Sequence, residues 1–435
     1  MTAYKREFSD GSAESGPLSA LDHLRQIFVA GTSGRKPCVP HQAAELERRA
    51  EGVLPRDSWT YLRGGAGLER TMEANRTGFD RHPIVPRVME DSSNADLSRK
   101  ILDFDWPAPI FLAPIGVLGL MHRDADLAVA RGAKALGLPM IMSNQASFPM
   151  ETIADTLGDN PRMFQLYWSR EEELVRSLVT RAKACGAKAI VVTLDTKLLG
   201  WRPRDLDQAH LPFLTAQGIA QYTSDPVFRD LMDEMPDDPN APKPQIGPGT
   251  PKAVYKMLKH HPGKAVDNLR SGEPMKAARL FTQIYSNPAV GRDHIRRLRD
   301  MTDLPILLKG ITHPEEADWA ASEGCGVYVS NHGGRQVDGA IGAIDALPEI
   351  AKVVDKRVPI FFDSGIRSGS DALKALALGA DAVGVGRPFA YGLSVAGAKG
   401  VEEVLRGIVS DLELNMRLSG LRSPAEADPN LFAHT

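Results

Sequence analysis

Eight short apolar runs, each followed by a helix-like stretch, constrain this chain more than anything else in it. The runs are PIFLAPIG (109–116), PMIMSN (139–144), RMFQLY (162–167) and AIVVTLD (189–195). After an interruption come PILLKGI (305–311), GVYVSNH (326–332), PIFFDSG (359–365) and AVGVGRP (382–388). They are apolar on both faces and rich in β-branched residues, which suits strands covered on both sides in a parallel sheet. Between them lie amphipathic stretches such as DADLAVARGAKALG, REEELVRSLVTRAKACG and GSDALKALALGA, several ending in Gly as helix C-termini do. Periodicity alone leaves a doubly wound open sheet in play. The count of eight βα units favours a closed α/β architecture, the TIM (β/α)8 barrel.

Around that barrel the sequence predicts a polar, Gly/Ser-bearing arm over residues 1–40 and a helical segment opening a main domain over 41–425. A long insertion is expected over about 203–280, after the fourth strand, and a tail over 426–435. The insertion is far longer than the roughly 2–6 residues usual for such a connection, so it reads as a lid. Its middle, EMPDDPNAPKPQIGPGTP (234–251), is dense in proline, while flanking stretches have helical spacing.

The net charge of −3 over 435 residues gives no footprint for nucleic acid or a membrane surface. Cys38, Cys185 and Cys325 are odd in number and widely spaced, which argues against a disulfide framework and against a metal cluster. The polar start MTAYKREFSDGSAESGPLSA lacks the apolar core of a signal peptide, and no window reaches the roughly 18 apolar residues of a membrane span. The expectation is a soluble cytoplasmic protein, with an organelle left open.

The strand ends carry the chemistry. Gly116, Ser143, Gln165 with Tyr167, Thr193 with Asp195, Lys309, His332, Asp363 and Arg387 all stand at the C-terminal exits of apolar runs. In a barrel those exits converge on one face. Lys309 ends a buried strand, where a lysine needs an anionic partner unless it reaches the rim. Gly365, Gly386, Arg367 and Arg387, in the last two units, offer backbone N–H groups and cations for a phosphate. Arg202 and Arg335 can form a clamp, since guanidinium matches a carboxylate by paired hydrogen bonds. His332 is the group suited to proton transfer near neutral pH, and Asp195 is placed to orient it.

With SNHGGRQVDG (330–339), LPRDSWTYLRGGAG, LAPIG, FQLYWSR, VVTLDT, LLKGI, FFDSGIRSG and GVGRP in order, the chain resembles the FMN-dependent L-2-hydroxy-acid oxidases over about residues 45–425. The resemblance implies FMN as cofactor and a small 2-hydroxy acid and O2 as substrates. It makes His332 the base, Asp195 its partner, and Arg335 and Arg202 the carboxylate clamp, aided by Tyr61. Tyr167 would bond the substrate's hydroxyl or keto oxygen. The flavin ring would lie on the backbone at Ile115 and Gly116, with Ser143, Gln165, Thr193 and Lys309 at its polar edge. Asp363 would meet the ribityl chain, and Gly365, Arg367, Gly386 and Arg387 the phosphate. Relatives imply a homotetramer or homo-octamer.

Two features narrow the branch. Gly116 stands where lactate oxidases of the family carry alanine and lactate monooxygenases glycine, and the insertion resembles the monooxygenase branch. The implied activity is oxidative decarboxylation of L-lactate to acetate, with an oxidase releasing peroxide as the alternative. Ser364 departs from the family's frequent DGG, and a serine there fits a backbone with negative φ.

Overall fold

The computed structural model describes residues 19–235 and 246–433. A short antiparallel hairpin, β1 (Arg99–Ile101) and β2 (Phe104–Trp106), precedes eight strands. These are β3 (Ile110–Leu112), β4 (Met140–Met142), β5 (Arg162–Leu166), β6 (Ile190–Thr193), β7 (Ile306–Ile311), β8 (Gly326–Val329), β9 (Ile360–Phe362) and β10 (Ala382–Val385). Each barrel strand falls inside one of the eight apolar runs. Every neighbouring pair is parallel, and β10 pairs with β3 to close the barrel. The protein is a TIM barrel.

Two apolar layers hold it together. Inside, Phe111, Ile141, Met163, Val191, Leu307, Tyr328 and Phe361 fill the barrel with essentially no exposure. Trp106 from the hairpin joins them. Its ring lies edge-on to Phe111 at 6.0 Å and to Phe361 at 5.8 Å, both near strand starts, so the hairpin stoppers the end opposite the exits. Its indole N–H donates to the Ile101 carbonyl at 3.1 Å, which removes the penalty of burying it. Outside, alternate strand residues such as Leu112, Val192 and Leu308 face the surrounding helices. Burial on both faces is why the runs read as continuously apolar.

The described parts of the flanking regions pack against the rest of the chain. The arm expected over 1–40 carries a helix, Ala20–Thr32, capped by the Ser19 hydroxyl. His23 Nδ1 and Ser410 Oγ lie 2.8 Å apart, and the Ala20 N–H donates to Glu413, which seats this helix on the second half of the C-terminal segment Arg387–Leu418, two helices joined by a kink at Ala396 and Gly397. The tail also returns to its own chain. Ile84 bridges Phe432, the Val85 N–H donates to the Leu431 carbonyl at 2.9 Å, and Leu431 and Phe432 are buried.

The insertion holds helices Pro203–Asp207, Pro226–Glu234, Thr250–His260, Ala265–Ser271 and Glu273–Ile284. Residues 236–245 of its proline-dense middle lie outside the described residues. Phe281 anchors it, with ring centroids 4.8 Å from Tyr222, 4.8 Å from Tyr285 and 5.0 Å from Phe213. Among the described residues, no helix is long and apolar enough to cross a membrane.

Candidate active site

The strand exits converge on one cavity with about 1090 Å³ of empty space, open water at its mouth included. Of the residues singled out in the sequence, Tyr61, Ile115, Gly116, Ser143, Gln165, Tyr167, Thr193, Arg202 and Lys309 line it. So do His332, Arg335, Asp363, Gly365, Arg367, Gly386 and Arg387. Asp195 stands one step back, behind His332. Arg204, from the same Arg-Pro-Arg run as Arg202, turns away to pair with Glu69 at 2.7 Å.

His332 Nδ1 lies 2.9 Å from Asp195 Oδ1 and 3.1 Å from Thr196 Oγ1. Asp195 can approach because Gly310, with φ +105°, has no Cβ; one would sit 2.7 Å from the Asp195 Cβ. Gly310 lies where the β7–β8 register shifts between Lys309 and Ile311. Burial opposes the Asp195 charge, but His332, Lys309 and hydrogen bonds outweigh it and hold the carboxyl down at about 2. Burial lowers the His332 pKa, against the pull of Asp195. The pair is therefore a carboxylate and a neutral imidazole. A carboxylate only accepts, so Nδ1 carries the proton and Nε2 keeps the lone pair.

Arginines surround this base. Arg202, 6% exposed, donates from Nε to the Arg335 carbonyl at 3.0 Å and from a terminal nitrogen to Gln336 Oε1 at 2.7 Å. Arg335 donates to the carbonyls of Tyr61 and Gly64 and lies 5.0 Å over the Tyr61 ring. Arg387 donates to the carbonyls of Leu62, Gly333 and Gly64. Burial, then the neighbouring Arg335, brings Arg202 down to about 10, and burial brings Arg387 to about 9. Among the described residues none of these three, nor Arg367, forms an ion pair within 4 Å. Buried or half-buried cations held only by neutral groups leave their charge for anionic ligands. Arg202 and Arg335 stand on the His332 side. Arg367 and Arg387 follow Gly365 and Gly386 in the chain; Arg387 shares the Gly64 carbonyl with Arg335, and a Cβ on Gly386 would meet only open space.

The cavity floor is incomplete in another way. Gln165 Nε2 and Thr193 Oγ1 are buried with no hydrogen-bond partner, as is Asn144 Nδ2, which lies outside the cavity lining. Gln165 and Thr193 line the cavity beside Lys309, which donates to Ser330 Oγ at 2.8 Å and lies 3.5 Å from Asp363 Oδ2. A planar ligand edge with donors and acceptors, attached to a phosphate, fits this set: orphaned polar atoms at one end, unpaired arginines at the other. Asp363 accepts from Tyr328, Ser330 and Ser364, so its carboxylate is engaged with the protein before any ribityl group.

Other residues enter that were not singled out as site residues. Thr196 and Ser330 neighbour residues that were. Gln145 lines the cavity against Gly116, and Phe213 and Tyr285 reach it from the insertion. Ser364 corrects its expectation: its φ is +83°, the left-handed region, not a negative value.

A barrel mouth with arginines outside any ion pair, a polar floor with unmet groups and an imidazole paired with a carboxylate suits a phosphate-bearing cofactor and an anionic substrate. The chain belongs to the FMN-dependent dehydrogenase family, whose pattern it matches over residues 50–434. It is 39% identical over 381 residues to an L-lactate oxidase of Lysinibacillus sphaericus, covering 87% of this chain and 89% of the relative. It is 38% identical to an FMN-dependent alpha-hydroxy acid dehydrogenase of Penicillium citrinum, covering 95% of each. Among solved structures it is similar to mandelate oxidase, with a TM-score of 0.72 at 31% identity, over 90% of this chain and 98% of that one. The cofactor is FMN, and the floor and phosphate residues above are those that would hold it.

Proposed function

We propose that the protein oxidises a small L-2-hydroxy acid, L-lactate foremost, and that it is a lactate 2-monooxygenase giving acetate, CO2 and water. The observation that carries the substrate class is the pair of unpaired guanidiniums, Arg202 and Arg335, on the same side of the cavity as a neutral imidazole. They bind and orient a carboxylate. His332 Nε2 takes the hydroxyl proton, and Asp195 stabilises the imidazolium that forms. Tyr167, its pKa raised by burial and by Asp195, stays a phenol and donates to the oxygen of the substrate. Lys309 adds a positive charge at the cofactor edge. Bound FMN supplies the two-electron acceptor and the reaction with oxygen.

The monooxygenase outcome turns on what leaves first. If pyruvate stays bound, hydrogen peroxide formed from oxygen decarboxylates it to acetate, CO2 and water. Phe213 and Tyr285 bring the insertion to the cavity wall, so slow opening of that segment favours retention. Gly116 at the same wall supports the same branch. The second reading, an oxidase releasing pyruvate and peroxide, is supported by the relatives named L-lactate oxidase. Oxygen uptake with L-lactate, followed by catalase, separates the two. No returned oxygen together with accumulated acetate is the expected result. Return of half the consumed oxygen establishes the oxidase.

A further inference from the structure

The turn that carries His332 is held in an improbable shape. His332, Gly333 and Gly334 have φ of +58°, +63° and +77°, three successive left-handed residues. Glycine adopts that region freely, whereas histidine does so only where its surroundings impose it. The imposing groups are identifiable. The Asn331 N–H donates to Ser364 Oγ at 3.3 Å and the Gly333 N–H to the same oxygen at 3.0 Å. The His332 N–H donates to Ser330 Oγ at 3.1 Å. The Gly334 N–H is closed within the turn by Asn331 Oδ1 at 3.1 Å. Both serine hydroxyls then donate to one atom, Asp363 Oδ1, at 2.5 Å from Ser330 and 2.8 Å from Ser364.

Ser364 is itself left-handed, a conformation glycine would adopt at lower backbone cost. Its side chain is the compensation. It is 7% exposed and makes three hydrogen bonds, two of them to the turn. Ser330 is buried as well and also receives Lys309 Nζ, so the turn, the carboxylate and the cofactor-side lysine form one closed network.

We propose that Ser364 is a positioning residue for His332: its hydroxyl, anchored by Asp363, fixes the left-handed turn so that Nε2 faces the substrate. The inference rests on the reading of His332 as the base. Its signature separates it from ordinary packing. Ser364→Gly relieves the strained φ and removes the hydroxyl. Ser364→Ala keeps the strain and removes the same hydroxyl. Thermal stability therefore falls less in Ser364→Gly than in Ser364→Ala, while the chemistry suffers equally.

The test is anaerobic rapid mixing of the FMN-loaded enzyme with L-lactate, followed by flavin absorbance, for wild type, Ser364→Gly, Ser364→Ala and His332→Gln. Both serine variants are expected to slow reduction at saturating lactate by about tenfold, a small misplacement of a proton acceptor. Half-saturation and FMN retention should stay within about twofold, and Ser364→Gly should melt higher than Ser364→Ala. Reduction by Ser364→Gly within twofold of wild type, with His332→Gln inactive, overturns the positioning role alone. A shift confined to half-saturation or FMN loss places the serine on a ligand instead and overturns it too. Wild-type reduction by His332→Gln removes the base and this inference with it.

Discussion

The two sides of the barrel mouth are finished to different degrees. Where β6, β8 and β9 end, His332, Asp195, Thr196 and Ser330 bond one another directly and Ser364 accepts from the Asn331 and Gly333 N–H groups of the turn, with Asp195 Oδ2 the exception. Where β5 and β6 end on the floor, Gln165 Nε2 and Thr193 Oγ1 have no partner. An unmet buried donor or acceptor costs about 1–3 kcal/mol. The base side is thus pre-organised by the fold, and the floor keeps unmet groups that a bound FMN would complete. This difference assigns mutations on each side to different observables.

The largest effect is expected on the base side. His332→Gln should lower flavin reduction by about 10²–10⁴-fold, the range of a lost general base, yet keep FMN. Anaerobic bleaching and the flavin-to-protein absorbance ratio read the two separately. Loss of FMN along with the rate would show that the sides are not independent.

On the floor, Thr193→Val deletes an unpaired hydroxyl at nearly constant volume. The apoprotein should melt higher and bind FMN about tenfold more weakly, the equivalent of one lost hydrogen bond in the complex. Fluorescence titration of the apoprotein with FMN gives the second quantity. A lower apo melting temperature would mean that Oγ1 has a partner in solution and that the floor is not incomplete.

The pH dependence follows from the two depressed pKa values. Proton abstraction needs neutral His332, whose pKa burial lowers below the ordinary 6.5. The acid limb of kcat/KM should therefore fall below that value, with activity on its alkaline side. Asp195 raises the His332 pKa, so Asp195→Asn should move the limb to lower pH while reducing the rate. Stability has its own sign. The Asp195 pKa is about 2 when folded, below the ordinary carboxyl value, so its contribution is complete above about pH 4 and vanishes as pH falls towards 2. Acid denaturation of Asp195→Asn should lack that step.

Much of this was legible because the barrel writes its geometry locally. A strand covered on both faces leaves a continuous apolar run, and the residue ending it must sit at the mouth. His332, Lys309 and Thr193 are therefore visible in a string of letters. What stayed hidden depends on contacts between distant segments. Phe213 and Tyr285 reach the cavity from helices of the insertion, which carries no exit signal. The helix Ala20–Thr32 owes its place to Ser410 and Glu413. Ser364 looked like a residue of negative φ, since nothing beside it reveals that its hydroxyl serves a turn more than thirty residues earlier. Tyr61 came from the resemblance alone.

Gly116 sits at the boundary between the two sides and carries the smallest and most discriminating prediction. A methyl there would meet Gln145 Cβ at 2.9 Å and Gln145 Oε1 at 3.0 Å. The amide end can swing away, but Cβ is fixed to the backbone, so a contact that close forces the Gln145 segment itself to shift. Gly116→Ala should shift products a few-fold from acetate towards pyruvate and peroxide, about 1 kcal/mol in the partition. If the methyl acts by displacing Gln145, then Gln145→Gly in the same background removes both the Cβ and the Oε1 contact and returns the ratio towards wild type. Acetate and peroxide assayed together in the two single variants and the double variant form a complete cycle. A shift that persists unchanged in the double variant would place the methyl's action on the space for substrate and oxygen itself, and Gln145 would be a bystander.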